Sequence, residues 1–194
     1  MRNRDEQINE YLKKVIDTLS RIGRKNISEF TEMLLDVYNR EGTIFIFGNG
    51  GSGATASHFS GDLIKGVSYN LDKKFKVICL NDNIPALMAI ANDISFSDIF
   101  LEQLKNFVKK DDLVIGLSGS GNSMNVVKAL DFAKKAGAKT AAFCGFDGGK
   151  IKGIADVSIQ AEIDNMEVSE DIHLIIFHCV KSLLVEKLKK QPAI

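Results

Sequence analysis

Residues Thr43–Asp62, TIFIFGNGGSGATASHFSGD, leave few choices of fold. The β-branched and aromatic run Thr43–Phe47 ends at Gly48 and reads as a buried strand. A turn rich in glycine and serine follows. Then comes a helix, expected over about Ala54–Lys65, that carries His58 and Asp62 one turn apart. The plan recurs as strand Leu113–Leu117, loop Ser118–Ser123 (SGSGNS) and amphipathic helix Asn122–Lys135, ending at Gly137. Alternating strands and helices of this kind call for a parallel sheet between helix layers. Ligands of such sheets bind beyond the carboxyl ends of the strands, where both loops fall.

Three further apolar runs, Phe75–Leu80, Lys139–Cys144 and Val157–Gln160, bring the expected strands to five. Helical spacing marks Asn83–Ala91, Ile99–Val108 and a long final helix from Glu167 or Asp171 to Lys189. Two amphipathic helices precede the first strand. One spans Gln7–Gly23, with Ile8, Leu12, Val15, Ile16 and Leu19. The other spans Ser28–Arg40, with Phe30, Met33, Leu34, Val37 and Tyr38, and Ser28 as the expected cap. They either cover the sheet or form an oligomer contact. The expected fold is α/β: a three-layer, doubly wound, parallel five-stranded sheet with an N-terminal helical hairpin and a long C-terminal helix. One domain is expected over 1–194, with the hairpin in 1–41 and the sheet and its helices in 42–194.

Composition narrows the function classes. The 194 residues carry a formal net charge of zero and no basic stripe, which argues against nucleic acid as partner. No apolar run is long enough to span a bilayer, and the N-terminus is too polar for a signal peptide. The three cysteines, Cys79, Cys144 and Cys179, stand far apart in apolar segments. They read as buried thiols of a cytoplasmic protein.

Gly48–Gly53 matches G-x-G-x-x-G after a strand, the spacing of a dinucleotide-binding turn. Against that reading, Asp82, the acidic residue expected at the next strand end, lies farther on than usual. The loop also runs into a histidine that a dinucleotide site does not need. The second loop points elsewhere. Its glycines free backbone N–H groups to turn inward, its serines add hydroxyl donors, and the following helix N-terminus adds positive potential. Neither loop holds a lysine, so the pair suits a phosphomonoester bound by neutral donors. Plain turn and capping roles for Ser118, Ser120 and Ser123 are the alternative.

His58 and Asp62 share a helix face and form half of a metal site. His178 lies in the last helix, with Glu170 and His173 upstream. On spacing alone, a helix-surface pair or a core histidine competes with a metal site.

Five segments occur in the order seen in sugar isomerase (SIS) domains: FGNGGS (Phe47–Ser52), HF (His58, Phe59), AxxND (Ala89–Asp93), SGNS (Ser120–Ser123) and DGGK (Asp147–Lys150). The chain resembles this family over nearly its whole length, and within it most closely the phosphoheptose isomerases. The resemblance implies conversion of sedoheptulose 7-phosphate to D-glycero-D-manno-heptose 7-phosphate through an enediol. It implies one zinc ion per subunit on His58, Asp62, Glu170 and His178. Asp62 doubles as catalytic base, with Glu170 as the fallback, and His178 serves as general acid or ring opener. The phosphate falls to Ser52, Ser118, Ser120 and Ser123, the sugar to Asn49, Gly50 and Gly51, and hydroxyls to Asn92 and Asp93; Gly119 and Glu170 complete the set.

The chain departs from the family at four of these places. Asp62 replaces a glutamate and withdraws the carboxylate by one methylene, about 1.5 Å, enough to slow a positioned base. Glu170 replaces a glutamine and adds a negative charge that favours a divalent cation. Gly66, beside Lys65, stands where an arginine is usual, and Gly119 where a threonine is. Some relatives are non-catalytic and sense a sugar phosphate or bind a protein such as a replication initiator. They typically lack the metal ligands, which this chain retains.

On one straight helix, Glu170 and His178 lie about 12 Å apart along the axis, too far for two ligands of one ion. Either the helix begins after Glu170 and the chain folds back, or the ligands meet across an interface. The resemblance implies a homotetramer with sites between subunits.

Overall fold

The computed structural model describes residues 3–189. The ends of the expected domain, residues 1–2 and 190–194, lie outside the described residues. The strands are β1 (Thr43–Gly48), β2 (Lys76–Cys79), β3 (Leu113–Ser118), β4 (Lys139–Cys144) and β5 (Val157–Gln160). They pair in parallel in the order β2-β1-β3-β4-β5. The helices are α1 (Arg4–Arg21), α2 (Arg24–Asn39), α3 (Gly50–Gly61), α4 (Ile84–Asp93), α5 (Leu101–Leu104), α6 (Met124–Lys135), α7 (Gly149–Ile154) and α8 (Met166–Lys189).

Both faces of the sheet are apolar because successive strand residues point to opposite sides. Ile44 and Ile46 of β1 join Leu113, Ile115 and Leu117 of β3 in one core, beneath α1, α2, α3 and α8. Phe45, Phe47 and Val114 enter the other, beneath α4 to α7. The result is the expected three-layer α/β fold. Phe59 of α3 stacks on Phe177 of α8 at 4.2 Å, and Phe177 stacks on Phe143 of β4 at 4.2 Å. This aromatic column sets the register of the two helices. It brings His58 and His178, each next in sequence to a column member, to the same level.

Four local expectations are corrected. Helix α2 begins at Arg24 with Gly23 as its N-cap, so Ser28 lies inside the helix. Helix α3 begins at Gly50, four residues before Ala54, and passes at Asp62 into a π-helical segment, Asp62–Val67. The expected helix Ile99–Val108 is α-helical only over Leu101–Leu104 and follows a 3-10 turn at Phe96–Asp98. Cys79 and Cys144 are buried as expected, but Cys179 is exposed, on the outer side of α8. Among the described residues, no helix is long and apolar enough to cross a membrane.

Candidate active site

After β1 the chain goes out to the edge strand β2 and returns past β1 to form β3. The gap between the carboxyl ends of β1 and β3 is therefore the topological switch point. Both loops border it. In the first, Gly50 takes a left-handed φ of +52° that turns the strand directly into α3. Asn81, on the loop after β2, clamps this turn: its Nδ2 donates to the Gly48 carbonyl (2.7 Å), and its Oδ1 accepts from the Gly48 N–H (3.2 Å). In the second, Gly121 takes φ +67°, and any Cβ there would run into the Gly148 carbonyl. The Ser118 hydroxyl donates to that of Ser123 (3.0 Å). Asn49 and Asn125 exchange reciprocal amide hydrogen bonds of 3.0 and 2.9 Å, tying the loops together.

The loops enclose a cleft of about 230 Å³ lined by Asn49, Gly50, Gly51, Ser52, Leu117, Ser118, Gly119, Ser120, Ser123, Met166 and Glu170. Among the described residues, no lysine or arginine lines it. No cap side chain bonds into the first turn of α3 or α6, which leaves first-turn N–H groups for an anion. A larger cleft of about 700 Å³ opens beyond Ser120 and Asn122. It carries Asp147, Glu162 and Asp164, which repel a phosphate.

Helices α3 and α8 run side by side in one direction, with Glu170 against Gly51, His178 against His58 and Lys181 against Asp62. Farther along the same two helices lies the ionisable cluster. The Nε2 atoms of His58 and His178 face each other at 2.9 Å. Oδ2 of Asp62 lies 3.5 Å from the first and 3.9 Å from the second. That Oδ2 is buried without a hydrogen-bond partner, while Oδ1 accepts from the Lys181 ammonium at 2.5 Å. Two imidazole nitrogens and one orphaned carboxylate oxygen converge here, a donor set that fits a divalent cation such as zinc.

Nine of the substrate-set residues, Asn49, Gly50, Gly51, Ser52, Ser118, Gly119, Ser120, Ser123 and Glu170, line the cleft. The Asn49 side-chain amide is engaged by Asn125, and its carbonyl accepts from the Gly53 N–H at 3.1 Å. Asn92 and Asp93 lie apart from the cleft, exposed at the end of α4, where the Asn92 amide donates to Asp93 at 2.7 Å. Of the expected ligands, His58, Asp62 and His178 gather and Glu170 does not. Because α8 begins at Met166, before Glu170, the fold-back option is overturned. The Glu170 carboxylate packs over Gly51, where a Cβ would overlap it.

Sequence reasoning missed Asn81, Asn125 and Lys181. Nothing local marks any of them, since each acts on a partner 33 to 119 residues away. His173 is a core residue. Its Nε2 donates to the Cys144 carbonyl (3.0 Å), its Nδ1 has no partner, and burial pushes its pKa down to about 4.

The SIS domain family model matches residues 9–145. The phosphoheptose isomerase of Helicobacter pylori strain P12 is 35% identical over 170 residues, covering 87% of this chain and 85% of that one. The probable phosphoheptose isomerase of Thermoplasma volcanium is 37% identical over 163 residues, covering 84% and 83%. The phosphoheptose isomerase structure from Neisseria gonorrhoeae aligns with a TM-score of 0.87 at 25% identity, covering 95% of this chain and 100% of that one. The chain therefore belongs to the SIS domain family and, within it, to the phosphoheptose isomerases, a family of sugar-phosphate isomerases.

Proposed function

We propose that this protein converts sedoheptulose 7-phosphate to D-glycero-D-manno-heptose 7-phosphate, as a zinc-dependent homotetramer. The observation that carries the reading is the α3–α8 pair, which places a cleft lined by serine hydroxyls, glycines and Glu170 at one end and the cluster of His58, Asp62 and His178 at the other. Gly50 and His58 are separated by about 12 Å along the helix, a span comparable to an extended sugar phosphate. Ser52, Ser118, Ser120 and Ser123 hold the phosphate, with the first-turn N–H groups of α3 and α6. The sugar then runs past Gly51 and Glu170 toward the cluster.

Isomerisation moves a proton between adjacent carbons, with no outside oxidant or reductant. A carboxylate takes the proton from the carbon beside the carbonyl and returns it to the neighbouring one. Asp62 is the first candidate and Glu170, over the cleft, the second. His178 exchanges the proton of the substrate oxygen. A divalent cation held by His58, Asp62 and His178 would polarise the carbonyl. The exposed Ile8, Leu12 and Ile16 on α1 support assembly, with Asn92, Asp93 or Glu170 meeting the site of a neighbouring chain. A sensor needs the cradle without the cluster, so the convergence of three ionisable groups favours catalysis.

The test is turnover of sedoheptulose 7-phosphate by the purified chain, with metal content and light scattering on the same sample. Formation of the aldose, bound zinc and about four chains per particle are expected. Asp62→Asn should abolish turnover; a fully active variant removes Asp62 from the mechanism and shifts the base to Glu170. A chain that binds phosphorylated ketoses and turns none over is a sensor.

A further inference from the structure

Lys181 has no task in the reading above, yet it makes the closest polar contact to Asp62. Its ammonium lies 2.5 Å from Oδ1, with 32% of its side chain exposed against 14% for Asp62. The other nearby cation, Lys65, is directed instead over the Tyr69 ring, 5.8 Å from its centroid. The contact depends on a second residue. A Cβ at Gly66 would stand 2.7 Å from Cε of Lys181, 3.2 Å from its Nζ and 3.4 Å from Oδ1 of Asp62. Any side chain at position 66 must therefore move the lysine or its carboxylate. Gly66 lies within the π-helical segment that opens with Asp62.

We propose that Lys181 is a positioning residue: it holds Oδ1 of Asp62, so that Oδ2 faces His58 and His178, and Gly66 gives it room. An aspartate carboxylate can rotate about its side-chain bonds, and a fixed donor on one oxygen selects the rotamer that presents the other. Partners of this kind tune the affinity of a metal site by about 10–100-fold. The ammonium also offsets part of the charge of Asp62. This inference rests on the metal reading of the cluster.

The test titrates the full-length chain with Zn²⁺ alone against a chelating dye. Lys181→Met keeps the length of the side chain and removes its donor. It should weaken zinc binding about tenfold or more. Lys181→Arg keeps a charged donor and should retain most of the affinity. Gly66→Ala should reproduce the loss in the parent and add little in the Lys181→Met background. Unchanged melting of the chelated, metal-free proteins separates this effect from misfolding. Zinc binding by Lys181→Met as tight as the parent's overturns the inference, as does an arginine variant as weak as the methionine one. A parent chain that takes up no zinc fails in the first arm, and there the metal reading falls along with the lysine.

Discussion

At the start of α3, the cradle is shaped by backbone turns at Gly50 and Gly121, and the Asn49–Asn125 pair locks its two loops together. At the end of the same helix, His58 and His178 stand about half exposed, and Oδ2 of Asp62 has no hydrogen-bond partner. One end of the helix pair is thus cross-linked by backbone turns and amide hydrogen bonds, and the other presents converging donor atoms. On the proposed function, the cradle binds the part of the substrate that does not react, and the ionisable end holds the chemistry at a fixed distance from it.

The widest separation between the two ends should appear in kinetics. Asp62→Asn is expected to lower kcat by about 10²–10⁴-fold with little change in KM. Ser120→Ala, at the cradle, is expected to raise KM and leave kcat near the parent value. Steady-state assays on sedoheptulose 7-phosphate read both numbers. A fall in kcat of equal size for both variants would mean that the ends do not divide the work.

Stability should show the reverse order. Gly121→Ala places a Cβ against the Gly148 carbonyl at a left-handed φ, and neither backbone can yield cheaply. We expect a loss of about 3 kcal/mol in chemical unfolding. His58→Ala, on a half-exposed surface, should cost much less. Equal losses would show that the cluster is as much a part of the fold as the cradle.

The histidines extend the contrast to pH. His173 is buried and neutral, with its pKa pushed from 6.5 to about 4. Between these values the unfolded chain binds a proton that the folded chain does not. Stability is therefore full above pH 6.5 and falls as pH drops toward 4, by on the order of 3 kcal/mol. His173→Gln removes that proton site and should flatten the curve over this window, even if the variant starts lower. Parallel curves for parent and variant would mean that other groups set the acid limb.

The apolar strand runs and both loops were legible because burial on two faces demands uninterrupted hydrophobic residues, and sharp strand-to-helix turns demand glycine. The start of α3 at Gly50 was not. Its first turn, Gly-Gly-Ser-Gly, is poor in helix formers, and packing against β1 outweighs propensity there. The π-helical turn at Asp62–Val67 leaves no pattern in the sequence. His58 and Asp62 were visible as an i, i+4 pair. The arrival of His178 and Lys181 depends on the register of two helices more than a hundred residues apart, set by the Phe59–Phe177 stack. The same register sends Glu170 to the cleft, so a ligand set carried over position by position does not converge within one chain.

The smallest expected effect concerns the bridge between the loops. Asn125 is buried at 2% exposure, and its Oδ1 accepts from both the Asn49 amide and the Val126 N–H. Asn125→Ala leaves the Asn49 amide without its partner, a cost of about 1–2 kcal/mol. Asn49→Ala should cost a similar amount by stranding the Asn125 Nδ2, while the Asn125 Oδ1 keeps the Val126 N–H. Because both remove the same pair of hydrogen bonds, the double variant should lose less than the sum, with a coupling of about 1 kcal/mol. The bridge spans the two loops of the cradle, so loosening it should raise KM a few-fold. A double variant that loses the full sum would show that the loops hold their shapes independently. The completeness of the cradle would then belong to each glycine turn separately and owe nothing to the amide pair.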